Sequence, residues 1–437
     1  IHLEQEIEQF VLLGGQARDR LRAEGTNLVL RRANNAAVFS YEFAALQDLT
    51  INGSGATFPQ AYYETVIEQF KQAQPAVTVT YAGGGSGKGQ TDLAAGLVDW
   101  AGSDSTVKPE DAAKFKTPFL YFPTVAAPIT VAYNLSGVKG LRLSADTIAG
   151  IFGGTITTWD DPKIAADNPK ADLPATAIVV AHRADGSGTT ANFTKYLTKA
   201  APTAWTLGSD KVVNWPAGQQ AGNGNAGVAQ IVKTTAGAIG YVDFSDAQFA
   251  ELTTASVRNR AGKYVAASLA GASAAVDGAT VNADLTYDPL DAPGATAYPI
   301  VAPTYLLIST TYTDAAKGAA VKGFVRYILT DGQALAADVG FAKLPVSLAS
   351  KAIAAVEGDR RLTDRKGPDV RGAAWPRPGA VATRRRSTST KRRRRRGAGI
   401  EQRVPRALGA RREREPEPRD ERQRQPSSAR PGLLVLR

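Results

Sequence analysis

The chain has no cysteine and no methionine among its 437 residues, and only two histidines, His2 and His182. Without thiols there can be no disulfide, no thiolate nucleophile, no thiolate metal site and no lipid attached through an N-terminal cysteine. Two histidines exclude a histidine-rich metal site. A chain that opens at Ile1 and lacks methionine reads as a processed product or a fragment. No run of about 18 apolar residues occurs, so no transmembrane helix is expected. No apolar segment of signal-peptide length opens the chain either.

A net positive charge is also missing from most of the chain. Lys and Arg total 52 against 41 Asp and Glu, but residues 357–437 hold 25 of the former and 10 of the latter. Residues 1–356 therefore carry 52 − 25 = 27 positive and 41 − 10 = 31 negative charges, a net of −4. Any nucleic-acid binding driven by charge would fall to the tail alone, whose Lys391 is followed by Arg392 through Arg396. That tail is expected to be disordered. Its only aromatic residue able to stack a base is Trp375. Arg, Pro, Gly and Ala dominate it, a composition that a shifted reading frame in GC-rich DNA also yields.

What the body does contain is enough apolar residues for sizeable cores and a recurring pattern of strand, small-residue turn and helix start. Ala177–Ala181 is a short β-branched run that reads as a buried strand. Arg183-Ala184-Asp185-Gly186-Ser187-Gly188-Thr189-Thr190 follows, and Phe193, Tyr196 and Leu197 then keep helical spacing. Free N–H groups and the positive end of the helix dipole favour an anion at such a turn. Arg183 adds a planar fork of donors suited to phosphate, which Asp185 could steady. Capping explains Ser187 and Thr189 equally well.

Two further turns repeat the pattern. Leu49-Thr50-Ile51 leads through Gly53-Ser54-Gly55-Ala56-Thr57-Phe58 to Pro59, a candidate first-turn residue, and Val77–Tyr81 leads through Gly83–Gly89 to a second helix. Gly87-Lys88 fails as a nucleotide P-loop, because Ala82 stands at the first glycine and Gly89 at the Ser/Thr position. Gly222, Gly224 and Gly227 spell G-x-G-x-x-G, but no strand is expected before them, so a dinucleotide site is weak. Asp104 lies among small residues after a helix, where an aspartate ordinarily caps a turn or is solvated. Leu120–Pro123 and Ala127–Tyr133 read as extended segments, punctuated by proline, that could cross between domains. In residues 1–48, Ile7, Phe10 and Val11 suggest a short amphipathic helix.

Gly53–Pro59, Gly85-Ser86, Gly102-Ser103-Asp104, Arg183–Thr190 and Gly237-Ala238-Ile239-Gly240-Tyr241-Val242 together resemble the phosphate-binding protein of bacterial phosphate ABC transporters, over about residues 49–356. The resemblance implies a two-lobed α/β periplasmic-binding-protein fold of type II-like character, with the ligand in the inter-lobe cleft. Residues 49–126 and 300–356 would form lobe I and residues 127–299 lobe II. Residues 1–48 would be an extension and 357–437 the basic disordered tail. Thr57, Phe58, Ser86 and Asp104 would hold phosphate from one lobe, and Arg183, Ser187, Gly188 and Thr189 from the other, with Asp185 supporting Arg183. It also implies a periplasmic or cell-surface monomer serving a membrane permease, with no catalysis, metal or cofactor. Lys88 departs from the family's small residues and would bring a free ammonium near the cleft mouth. A phosphatase on this scaffold is the alternative, against which no G-x-S-x-G surrounds Ser54, Ser86 or Ser187. Nucleic-acid binding through the tail is the other.

Overall fold

A computed structural model describes residues 49–358 and, ahead of them, the strands β1 (Arg20–Glu24), β2 (Asn27–Arg31) and β3 (Ala37–Glu42). Those three pair as an antiparallel meander. They lie after the segment of Ile7, Phe10 and Val11, and in β1 Leu21 and Ala23 alternate with Arg22 and Glu24 at period two. Ile7, Phe10, Val11 and the basic tail lie outside the described residues.

The main sheet has nine strands and mixed direction. One half contains β4 (Leu49–Gly55), β5 (Val77–Gly83) and β6 (Trp100–Ser103), with β4 parallel to both neighbours. The other contains β9 (Val179–Arg183), β10 (Gln220–Gly222) and β11 (Ala238–Asp243), all parallel, and the short β12 (Thr253–Thr254). Two long antiparallel strands join the halves, β7 (Phe119–Tyr133) and β15 (Val301–Ser309). A small side sheet is made of β8 (Arg142–Leu143), β13 (Ser256–Arg258) and β14 (Tyr264–Val265). The longer helices are α1 (Gln60–Ala73), α2 (Ser86–Ala95), α3 (Ala145–Phe152), α4 (Gly188–Ala200), α5 (Gly224–Thr234), α6 (Leu269–Asp277), α7 (Ala315–Leu329) and α8 (Val346–Gly358).

The two extended segments around Pro123 and Pro128 are a single strand. β7 pairs with β15 along Phe119–Pro128 and with β11 along Ile129–Tyr133. Proline survives inside it because the first stretch is paired along one side only, apart from the bridge of Ala126 to Ala342. The partner changes between Pro128 and Ile129, so β7 leaves one half of the sheet and enters the other there.

Parallel strands need helical crossovers, and the helices bury one face each. On α1 that face is Tyr62, Tyr63, Val66 and Phe70, packed on Phe324 and Tyr327 of α7 and on Phe341. Burial of such side chains contributes about 1.5–3 kcal/mol each. On α5, Val228, Ala229 and Val232 pack on Ala181 of β9 and Val242 of β11 in a separate small core. That contact seats the start of α5 beside the end of β9.

Under β4 the packing leaves no slack. Trp100 is fully buried and stacks on Tyr81, with ring centroids 5.0 Å apart. A Cβ on Gly53 would lie 2.2 Å from its indole. Gly53→Ala should therefore cost about 1–3 kcal/mol by overpacking, read as a lower urea midpoint at unchanged slope. An unchanged midpoint would mean the indole can move aside.

Candidate functional site

Three strand-to-helix turns meet between the two halves of the sheet. The first is Ala56–Pro59 after β4, where Ala56 N–H donates to Gly102 O at 2.9 Å and Pro59 is the N-cap of α1. The second is Gly83–Gly85 before α2. Gly85 has φ +87°, and a Cβ there would fall 2.1 Å from Asp185 Oδ2. The third is Ala184–Ser187 between β9 and α4. Ser187 caps α4, its Oγ accepting from Thr190 N–H at 3.1 Å. Its own hydroxyl proton is left to donate elsewhere. The N–H groups of Ser86, Gly188 and Thr189, in the first turns of α2 and α4, have no intrahelical acceptor by construction.

Arg183 is the last residue of β9 and its side chain is 1% exposed. Nε donates to Asp185 Oδ1 at 2.7 Å and Nη2 to Asp185 Oδ2 at 2.5 Å. Nη1 reaches Asn225 Oδ1 at 3.2 Å and Thr189 Oγ1 at 3.4 Å. The backbone is held as well, because Arg183 N–H donates to Tyr241 OH at 3.0 Å, and that phenol shares a 2.6 Å bond with Thr190 Oγ1.

Asp104 faces this cluster from the end of β6 and is fully enclosed. Its Oδ2 accepts from Ser86 Oγ at 3.3 Å, and its N–H donates to the same oxygen at 3.0 Å. Neither Asp104 Oδ1 nor the neighbouring Thr304 hydroxyl makes a well-formed hydrogen bond among the described residues, although that hydroxyl is near enough to pull on the carboxylate. Burial pushes the Asp104 carboxyl up to about 7, against the downward pull of Thr304, Arg183 and Ser86. A buried acceptor atom without a donor is costly.

The halves touch around this centre. Gly87 N–H donates to Gly186 O at 2.8 Å, and Asn192 Nδ2 donates to Asp104 O at 2.6 Å. A Cβ on Gly188 would meet Ser86 Oγ at 2.3 Å and Asp104 Cβ at 2.8 Å. At the cleft mouth Lys108 pairs with Asp210 at 2.5 Å and Lys211 Nζ donates to Gln90 Oε1. A cavity of about 490 Å³ opens there, lined in part by Lys88, Lys108 and Lys211.

Residues 40–332 match the model of the PBP superfamily domain. The phosphate-binding protein PstS of Methanocaldococcus jannaschii is 39% identical over 309 residues, covering 65% of this chain and 79% of that protein. The phosphate-binding protein PstS2 of Mycobacterium bovis is 37% identical over 322 residues, covering 70% and 86%. The chain belongs to the periplasmic phosphate-binding proteins of the PBP superfamily. A solved high affinity periplasmic phosphate-binding protein, with phosphate bound at pH 8.5, is 25% identical and superposes with a TM-score of 0.60, over 73% of this chain and all of that one.

Within this family member, four details expected from the sequence need correcting. Asp104 follows the strand Trp100–Ser103, since Gly96 ends α2 in a left-handed conformation and the chain re-enters the sheet. Pro59 is an N-cap rather than a first-turn residue. The Lys88 ammonium is not free, because one turn later Asp92 takes it at 2.7 Å while also accepting from Ser54 Oγ at 2.7 Å. A strand, Gln220–Gly222, does precede the G-x-G-x-x-G run, and the helix after it brings Asn225 to Arg183. Asn225 and Tyr241 are the site residues that sequence reasoning missed. The strand–glycine–helix pattern was the available signal for Asn225.

Asp104 gives a pH test. Between its ordinary value of 3.8 and about 7, the folded protein holds a proton that the unfolded chain has released. Folded stability must then fall as pH rises through that window. In phosphate-free buffer the melting temperature should drop between about pH 5 and about pH 8, and Asp104→Asn should make that drop smaller. Asp243, another buried carboxyl pushed up by burial, contributes the same trend to both proteins. An equal drop in both would contradict the raised value at Asp104.

Proposed function

We propose that residues 49–356 bind one inorganic phosphate between two lobes and deliver it to the membrane permease of a phosphate ABC transporter for import. Lobe I is assigned to residues 49–126 and 300–356 and lobe II to residues 127–299, so that β7 and β15 are the crossovers. The N–H groups of Thr57, Phe58, Ser86, Gly188 and Thr189, with the hydroxyls of Thr57, Ser86, Ser187 and Thr189, donate to the oxyanion. Arg183 supplies the charge, and Asp185 fixes its orientation. The protein acts as a monomer in the periplasm or at the cell surface.

The observation that carries this reading is the unpartnered Asp104 Oδ1 beside a buried guanidinium. Donors alone would suit any oxyanion. Above about pH 7, where Asp104 is ionised, phosphate still carries a proton and can donate it to the carboxylate. Sulfate carries none, so it would set two negative groups against each other in a dry cleft. Donors give affinity here and the acceptor gives selectivity. The relatives named as phosphate-binding proteins and the solved homologue with phosphate bound support the same ligand.

Calorimetry of the purified chain with phosphate, sulfate and arsenate in parallel tests this. Above about pH 7, where Asp104 is charged, phosphate should bind one to one and sulfate should give no heat at the same concentration. Arg183→Lys keeps the charge but not the fork, and should lose about 1–3 kcal/mol of phosphate affinity. Asp104→Asn should hold phosphate within a modest factor, the amide still offering an acceptor, while rejecting sulfate less well. Parental sulfate rejection in Asp104→Asn would leave Asp104 as nothing more than a counter-charge to Arg183.

A further inference from the structure

A hydroxyl can donate one hydrogen bond and accept two, so whether it serves an anion depends on what occupies its lone pairs. Thr57 and Thr189 stand on opposite sides of the cleft, and Asn225 sits between them. Its backbone N–H and its Nδ2 lie 3.3 and 3.4 Å from Thr57 Oγ1. Nδ2 also lies 3.4 Å from Thr189 Oγ1, which Arg183 Nη1 approaches at 3.4 Å. Each threonine oxygen thus faces two N–H donors, which leaves its proton as the one group it can still offer. The amide cannot turn over to reverse this. Its oxygen accepts from Arg183 Nη1 at 3.2 Å, so its NH2 must face the threonines.

The placement of Asn225 follows from the fold. It is fully buried in the first turn of α5. Gly224 before it has φ +66°, and its N–H donates to Asp185 Oδ1 at 3.1 Å. The apolar contacts of Val228, Ala229 and Val232 hold that helix against β9 and β11.

We infer that Asn225 is a positioning residue that makes the hydroxyls of Thr57 and Thr189 obligate donors to the bound anion. It does so across the cleft, joining Thr57 of one lobe to Arg183 of the other. This rests on the reading that both threonines face phosphate. Asn225→Ala frees the two hydroxyls to rotate. Asn225→Asp goes further, because a carboxylate in the amide's place accepts their protons and draws them away from the anion.

The test is phosphate titration calorimetry on the full chain, with melting curves to verify folding. The set is the parent, Asn225→Ala, Asn225→Asp, Thr57→Val and the Thr57→Val/Asn225→Ala double variant. Asn225→Ala should bind about tenfold more weakly, and Asn225→Asp more weakly still. In the Thr57→Val background, where one of the two hydroxyls is gone, the Asn225→Ala loss should shrink to about threefold. Parental affinity in Asn225→Ala, or an undiminished loss in the Thr57→Val background, overturns the inference, since Asn225 would then act independently of the hydroxyl. Should Asn225→Asp fail to fold, the alanine cycle decides by itself. A parent protein that binds no phosphate would instead overturn the proposed function beneath it.

Discussion

The buried clamp on Arg183 is the interaction on which the rest of the site depends. A guanidinium removed from water is tolerable only when its donors are met. Asp185 takes two of them, and Thr189 and Asn225 share Nη1. Those partners come from two helix starts, which fixes where α4 and α5 must begin relative to β9. Gly85 and Gly188 follow from the same crowding, since a Cβ at either would strike Asp185 or Ser86 across the cleft. The charges nearly cancel, with Arg183 offset by Asp185 and Asp104 pushed toward its protonated form. On the proposed assignment an oxyanion in this cleft would be held mainly by oriented N–H and O–H dipoles, which act at short range and in the absence of water. Closure would matter for that reason, because the proposed donors come from both sides.

The sheet is narrow where its two halves join. β7 pairs with β15 up to Pro128 and with β11 from Ile129 onward, so the connection between the halves is narrow. Asp104 and Ser86 stand on one side of that junction, Arg183 and Thr189 on the other. Contacts across the cleft are mainly polar and include Gly87 with Gly186, Asn192 with Asp104, Asn225 with Thr57, Lys211 with Gln90 and Lys108 with Asp210. The surface ion pair at the mouth is screened by solvent and adds little by itself. Such an interface can open without exposing a large apolar core.

Much of this was legible in the sequence where the signals were local. The strand–turn–helix pattern around Thr57, Ser86 and Ser187 is written in β-branched runs, glycines and helix-capping residues. The pairing of Arg183 with Asp185 two residues on was equally readable. Signals that depend on distant neighbours were not. Gln220–Gly222 is too short a strand to show a period, so Asn225 went unnoticed although its glycines were visible. The i,i+4 spacing of Lys88 and Asp92 is a local signal, but nothing in the order of residues says that Asp92 also accepts from Ser54, because that depends on how α2 lies on β4. The meander at residues 20–42 was hidden because Arg18 to Glu24 is dense in charge and its alternation is brief.

The central claim is that phosphate draws the two lobes together through Arg183 on one side and Asp104 on the other. The absence of cysteine makes a direct measurement clean. Leu97 and Val212 are exposed large apolar residues in the proposed lobes I and II respectively. Leu97→Cys/Val212→Cys can be labelled with a donor and an acceptor dye with no competing thiol. Energy transfer between them should rise on adding phosphate, saturate at one equivalent, and stay unchanged with sulfate. Phosphate that binds without changing the transfer, or sulfate that changes it equally, would contradict the account.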